Sequence, residues 1–88
     1  ALLAAALVVA TPAHASLERA QAAQARGDLR AAQIELRNAV RTAPNDAALR
    51  AALAAASLDL GDGDTAEKEA RAALERGFDP VAGNALLL

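Results

Sequence analysis

The amino-acid sequence predicts an all-α fold made of antiparallel helix-turn-helix hairpins, two complete and a third begun. Alanine supplies most of the 55% of residues that are hydrophobic, and alanine is the strongest helix former. The pairs Gly27-Asp28 and Gly61-Asp62 lie 34 residues apart, and in each pair glycine can end one helix while aspartate caps the next. Pro44 marks the helix end between these two turns, because proline cannot continue a helix.

Residues 1–15 predict an export signal that lacks its basic n-region. They carry no charged residue, and an apolar run precedes the helix-breaking Pro12. The run is shorter than the roughly 20 residues that a membrane-spanning helix needs. Ala13 and Ala15 offer the small side chains that signal peptidase requires, which predicts cleavage ahead of Ser16. We therefore expect a protein exported to the periplasm or cell envelope of a bacterium; the alternative is an alanine-rich first helix that is retained.

Two copies of a helix-turn-helix unit follow, over residues 16–46 and 47–80, and residues 81–88 begin a third copy that is cut short. The predicted helices cover about 16–26 and 29–42 in the first copy, and 47–60 and 64–76 in the second. Ser16 is expected to cap the first helix, and Asp64 with Glu67 the fourth, as a capping pair. Leu86, Leu87 and Leu88 are expected to lie in the helix that opens the third copy.

The apolar residues fall on one face of each central helix. In the helix over 29–42 that face is Leu29, Ala32, Leu36, Ala39 and Val40, and in the helix over 47–60 it is Leu49, Leu53, Ala56 and Leu60. Small side chains occupy the positions where paired helices would approach most closely: Ala20, Ala32, Ala54 and Ala66. Alanine buries little area, so we expect a thin core, marginal stability and further stabilisation from downstream copies.

These residues resemble the tetratricopeptide-repeat (TPR) family, whose unit is a helix-turn-helix of 34 residues. The matching residues stand in one register: Gly27, Asp28, Ala32, Ala39, Pro44, Gly61, Asp62, Ala66 and Ala73. The chain departs from the family at Ala23 and Ser57, where a tyrosine is common. Residues 31–40 and 66–74 resemble more narrowly the TPR-repeat lipoproteins of PEP-CTERM/exosortase gene clusters. That resemblance implies a role in the cell envelope or in exopolysaccharide production, although Ser16 replaces their lipid-bearing cysteine.

The sequence predicts no enzyme, no cofactor and no metal site. It contains no cysteine, and its only histidine, His14, lies within the predicted cleavage site. A calcium loop starting at Asp62 fails, because Ala66 and Glu67 stand where a ligand and a glycine are required. The net charge of −2 and the absence of a basic cluster argue against nucleic acid as a partner.

The resemblance implies a scaffold that binds a protein or peptide on a concave surface lined by the first helix of each copy. The expected groove residues are Leu17, Gln21, Gln24, Ala25, Ala51, Ala55, Leu58 and Asp59. Further repeats downstream are the other expected partners, and the membrane is met only through the signal segment. Two alternatives stay open: a small alanine-rich helical bundle that self-associates, and the N-terminal TPR region of a larger envelope enzyme.

Overall fold

The structure, a computed structural model, describes residues 11–87 and is helical throughout, with no strand in that range. Five helices follow one another: α1 (Pro12–Ala25), α2 (Leu29–Thr42), α3 (Ala47–Leu60), α4 (Gly63–Glu75) and α5 (Pro80–Ala85). The predicted all-α class is confirmed, and α2 and α3 have the predicted bounds. Most of the expected export segment, residues 1–10, lies outside the described residues, as does Leu88.

The turns after α1 and α3 are built alike. Gly27 and Gly61 adopt left-handed backbone conformations, with φ of 75° and 83°. In both turns the amide after the glycine donates back to a carbonyl near the helix end: Asp28 to Ala23 at 2.9 Å and Asp62 to Ser57 at 2.8 Å. This is the hydrogen bond of a Schellman cap, which reverses the chain directly after a helix. The two predicted glycine turns are therefore confirmed.

Aspartate side chains cap the helices that leave these turns. One carboxylate oxygen of Asp28 accepts from the Ala31 N–H at 3.1 Å, and one of Asp62 accepts from the Thr65 N–H at 3.1 Å. The expected capping pair of Asp64 with Glu67 is wrong. The Schellman turn already places Asp62 at the cap, so α4 begins at Gly63 and Asp64 falls in its first turn.

Helix α1 begins at Pro12, four residues before the predicted start at Ser16. The Thr11 hydroxyl accepts from the His14 N–H at 3.1 Å, and proline suits the first helical position because its missing N–H needs no partner there. Ser16 is therefore not a cap; it lies inside α1 and is buried. The residues of the predicted cleavage site occupy the first turns of this helix, and cleavage ahead of Ser16 stays a prediction.

Helix α5 is short, and it ends before the leucines that were expected to extend it. The Leu86 and Leu87 amides donate to carbonyls three residues earlier, at 3.2 and 3.0 Å, which tightens the chain into a turn. The expectation of helix at these two residues is wrong. Gly83 faces α4 so closely that a Cβ atom there would overlap the Leu74 side chain, and α5 therefore packs directly on α4.

Each hairpin is antiparallel, as its ion pairs show. Arg19 and Glu35 lie at equal distances along the chain from Gly27, and their side chains meet at 3.0 Å. Helix α3 in turn packs on α2. The hydrophobic core contains residues of α1, α2 and α3, and its leucines Leu36 and Leu53 are each 1% exposed. The predicted faces are confirmed except that Leu29 and Leu60 are half-buried. The predicted close-approach alanines are all buried: Ala20, Ala32, Ala54 and Ala66.

The left-handed glycine of the second hairpin provides a stability test. We expect Gly61→Ala to lower the free energy of unfolding by about 1–2 kcal/mol, because a Cβ atom disfavours φ of 83° although it would meet no other atom. Gly63→Ala is the matched control, since Gly63 is helical and also has open space around it. It should leave stability unchanged or raise it by less than about 1 kcal/mol. Chemical denaturation of the two variants measures the difference; equal stabilities would contradict the assigned turn.

Candidate functional site

The expected groove residues come from α1 and α3 at the same helical spacing. Six of the eight are exposed: Gln21, Gln24, Ala25, Ala55, Leu58 and Asp59. Leu17 is half-buried and packs on the core, and Ala51 is only 6% exposed, so these two support the surface more than they form it. Leu58 is 44% exposed and is the largest apolar side chain that the surface offers to solvent.

The N-terminal ends of α1 and α3 lie next to each other. A shallow cleft between them is lined by Ala13, His14 and Leu17 of α1 and by Asp46 and Leu49 at the start of α3, with Thr11 beside them. Leu17 is the one expected groove residue that lines this cleft. That the other groove residues of α1 and α3 lie side by side stays a prediction.

A buried amide ties α2 to α3 and to the turn that follows it. The Gln33 side chain is 2% exposed, and its Nε2 donates to the Ser57 hydroxyl at 3.1 Å and to a carboxylate oxygen of Asp62 at 2.9 Å. Ser57 is fully buried. The role of Gln33 was missed, although a polar residue one turn from both Leu29 and Leu36 on an apolar face is a signal that could have found it.

These contacts favour the ionised form of Asp62. Hydrogen bonds from the Thr65 hydroxyl and backbone N–H, followed by the bond from Gln33, hold the pKa of the Asp62 carboxyl below its ordinary value of 3.8. Asp62 therefore joins two functions, since one oxygen caps α4 and the other receives the amide of α2.

The lowered pKa predicts how stability changes in acid. A carboxyl whose pKa is lower in the folded state adds stability above its unfolded pKa, and this is lost as pH falls through the folded pKa. Asp62→Asn should therefore flatten the stability curve below about pH 4, with wild type losing more stability there. Asp59→Asn, which removes the same charge from an exposed site, is the control. Urea denaturation from pH 2 to 6 measures this, and parallel curves for Asp62→Asn and wild type would contradict it.

Each hairpin also carries an ion pair between its helices, and the two differ in burial. Arg50 Nη1 lies 2.9 Å from Glu69 Oε2, with side chains 15% and 7% exposed, and Arg50 Nε donates to the Pro44 carbonyl at 2.9 Å. The pair of Arg19 with Glu35 is far more open, at 58% and 25%. The two glutamates are equivalent in the repeat, but the arginines come from different turns, which is why the repeat did not reveal the buried pair.

The histidine of α1 pairs with a carboxylate on the surface of the molecule. His14 Nε2 pairs with Glu18 at 3.1 Å on the exposed side of α1. Within residues 11–87 no cluster of three or more His, Cys, Asp or Glu side chains could hold a metal ion. None of the helices in the same range is long and apolar enough to cross a membrane.

No family model matches the chain, and no curated protein or solved structure matches it significantly.

Proposed function

We propose that this chain is an exported TPR scaffold that binds a protein or peptide partner along the surface formed by α1 and α3. The observation that carries the proposal is the repetition of one hairpin. A left-handed glycine, a capping aspartate and a backbone hydrogen bond from that aspartate's N–H to a carbonyl near the helix end recur after 34 residues with nearly the same geometry. A unit repeated this closely is expected to stack on its neighbours as a helical solenoid.

The arrangement of the hairpins supports this proposal. Helix α3 packs on α2, and Leu17 of α1 lines one cleft with Leu49 of α3, which is the relation expected of the first helices of consecutive TPR units. Both leucines would remain after cleavage ahead of Ser16. The helix that opens the third unit, α5, lies against α4 through Gly83 and Leu74. A regular step from one hairpin to the next is part of the proposal, and these two contacts support it.

The groove has the chemistry of a protein-binding surface of modest polarity. Leu58 offers an apolar contact, the amides of Gln21 and Gln24 can both donate and accept, and Asp59 contributes a negative charge. The proposed groove contains no arginine or lysine to clamp a carboxylate. A helix or extended peptide with an apolar residue beside a donor group fits it best.

Site-specific photo-cross-linking in a bacterial host tests the proposal. A photoreactive amino acid at Leu58 or Gln24 should give a discrete adduct with one partner, while the same group at Arg41 or Lys68 should not. All four sites are exposed, but the last two lie on α2 and α4, outside the groove. Equal adducts at all four positions, or none in any of them, would count against a specific groove.

Export is tested separately by the mass of the mature protein. We expect material from the periplasm to begin at Ser16, and Ala15→Arg to block processing, because signal peptidase does not accept a large charged side chain there. Ala22→Arg, at an exposed alanine outside the cleavage site, is the control. An N-terminus ahead of Ser16 in the exported protein would contradict the assignment.

Export would place the scaffold in the cell envelope, where the narrower resemblance suggests an exopolysaccharide- or exosortase-associated assembly.

Self-association is the second candidate function, favoured by the exposure of Val81 at 81% and Ile34 at 48%. Size-exclusion chromatography with light scattering distinguishes the binding scaffold from the self-associating protein, because a scaffold without its partner should be monomeric.

A further inference from the structure

The outer face of α1 is a surface whose equivalent in the second hairpin is covered. We define this outer face by Arg19, Ala22, Ala23 and Arg26. The residues 34 positions later in α3 are Leu53, Ala56, Ser57 and Leu60. Leu53 and Ala56 share a core cluster with α2, Ser57 accepts a hydrogen bond from Gln33 of α2, and Leu60 is half-buried. On α1 the same positions, apart from Ala23, are exposed within the described residues. The molecule itself therefore shows what kind of element covers such a face, namely an amphipathic helix.

The outer face has a small apolar floor with charged edges. A shallow cleft between α1 and α2 is lined by Ala22, Ala23 and Ala31, with Arg19, Arg26 and Glu35 around them. At 3.6 residues per turn, this face lies on the opposite side of α1 from Gln21 and Gln24. It is therefore separate from the proposed groove, and the inference below does not depend on the groove.

Asp28 and Arg26, at this face, each have a polar group that, in the described part of the chain, makes no side-chain contact like the one made in the second hairpin. Asp62 gives one oxygen to its cap and the other to Gln33, whereas the second oxygen of Asp28 accepts no hydrogen bond within residues 11–87. Arg26 stands where α3 has Leu60, and it forms no ion pair within the same residues, while Arg19 is held by Glu35.

We propose that the outer face of α1 docks an amphipathic helix of another polypeptide, one that presents a carboxylate to Arg26 and an amide to Asp28. The docking repeats the way in which α2 lies on α3, with small and apolar side chains of the partner filling the alanine floor. Charge complementarity selects the partner, because Arg26 replaces a leucine and would be left without a counter-charge under a purely apolar helix.

The position of the partner's carboxylate follows from α2. Gln33 meets Ser57 and Asp62 at the C-terminal end of α3. Because a short turn joins α2 to α3 and reverses the chain, we expect Leu29, one turn before Gln33, to lie near Leu60, and both are half-buried. A partner helix docked in the same way therefore needs its carboxylate four residues before its amide.

A peptide with the sequence of residues 28–43 provides the probe. It carries the small face and the amide of α2, and Leu29→Glu in the peptide adds the carboxylate. Titrated against the full chain by fluorescence anisotropy, the Leu29→Glu peptide should bind about tenfold more tightly than the unmodified peptide. Arg26→Leu in the chain should reverse this preference, and Gln33→Leu in the peptide should weaken binding to either chain.

The controls separate this surface from other binding modes. Arg41→Leu removes an exposed arginine elsewhere on α2 and should leave the preference for Leu29→Glu unchanged. A peptide that displaced α2 from α3 would not respond to residue 26, so a preference that Arg26→Leu fails to change would overturn the proposal. Binding no tighter than that of a scrambled peptide would also overturn it, and would mean that the outer face of α1 is a solvated surface. Arg26→Gln serves the same purpose if Arg26→Leu lowers the helix content seen by circular dichroism.

Discussion

Leu53→Ala is expected to lower the free energy of unfolding by about 3 kcal/mol, in the lower half of the range for truncating a buried leucine to alanine. Leu53 is 1% exposed and lies in the core cluster where α3 meets α2. Four of the seven other residues in that cluster are alanines, which have no long side chains that could move into the cavity. For a chain of this size such a loss corresponds to a fall in melting temperature of roughly 15 °C.

Leu58→Ala is the matched control on the same helix. Leu58 is 44% exposed, so its truncation should change stability by less than about 0.5 kcal/mol. Thermal unfolding followed by circular dichroism compares the two variants with wild type. Similar melting temperatures for both variants would mean that α3 does not bury the face assigned to it.

Glu69→Leu is expected to destabilise the second hairpin by about 3 kcal/mol, because it leaves the Arg50 guanidinium largely buried without its counter-charge. The pair is short, at 2.9 Å, and its side chains are 15% and 7% exposed. The paired change Arg50→Met with Glu69→Leu should recover most of this loss, since an apolar pair of similar volume needs no charge compensation.

Glu35→Leu in the first hairpin provides the comparison. Its partner Arg19 is 58% exposed, so water replaces the lost contact and the cost should stay below about 1 kcal/mol. Urea denaturation gives the free energies of unfolding of wild type, Glu69→Leu, the double variant and Glu35→Leu. A double variant no more stable than Glu69→Leu alone, or equal losses at Glu35 and Glu69, would contradict the assigned difference in burial.

The turns and the two central helices could be predicted because their signals are local. Gly61 followed by Asp62 predicts that one helix ends and another begins at these two residues. In the structure Gly61 is left-handed and the Asp62 side chain caps α4. The bounds of α2 and α3 followed from Pro44 and these turns. The TPR relation and the export signal were suggested by the same sequence, and they stay proposals.

Other features depend on groups far apart in sequence. The bonds of Gln33 to Ser57 and Asp62 and the pair of Arg50 with Glu69 require the helices to be packed before the partners meet. The early start of α1 depends on Thr11, which the prediction had placed within a cleaved segment. The groove residues were taken from the TPR pattern, and exposure alone separates Leu58, which is open to solvent, from Ala51, which is not.

The neighbourhood of α1 and α3 is the central claim, since both the groove and the solenoid depend on it. Cysteines introduced at Gln21 and Ala55, equivalent exposed positions of the two helices, test it with a short bifunctional maleimide. We predict rapid intramolecular cross-linking of this pair in the folded chain, and little for cysteines at Gln21 and Lys68, which lies on α4. Cross-linking of the Gln21–Ala55 pair no faster than that of the Gln21–Lys68 pair, or equally fast in denaturant, would contradict the account.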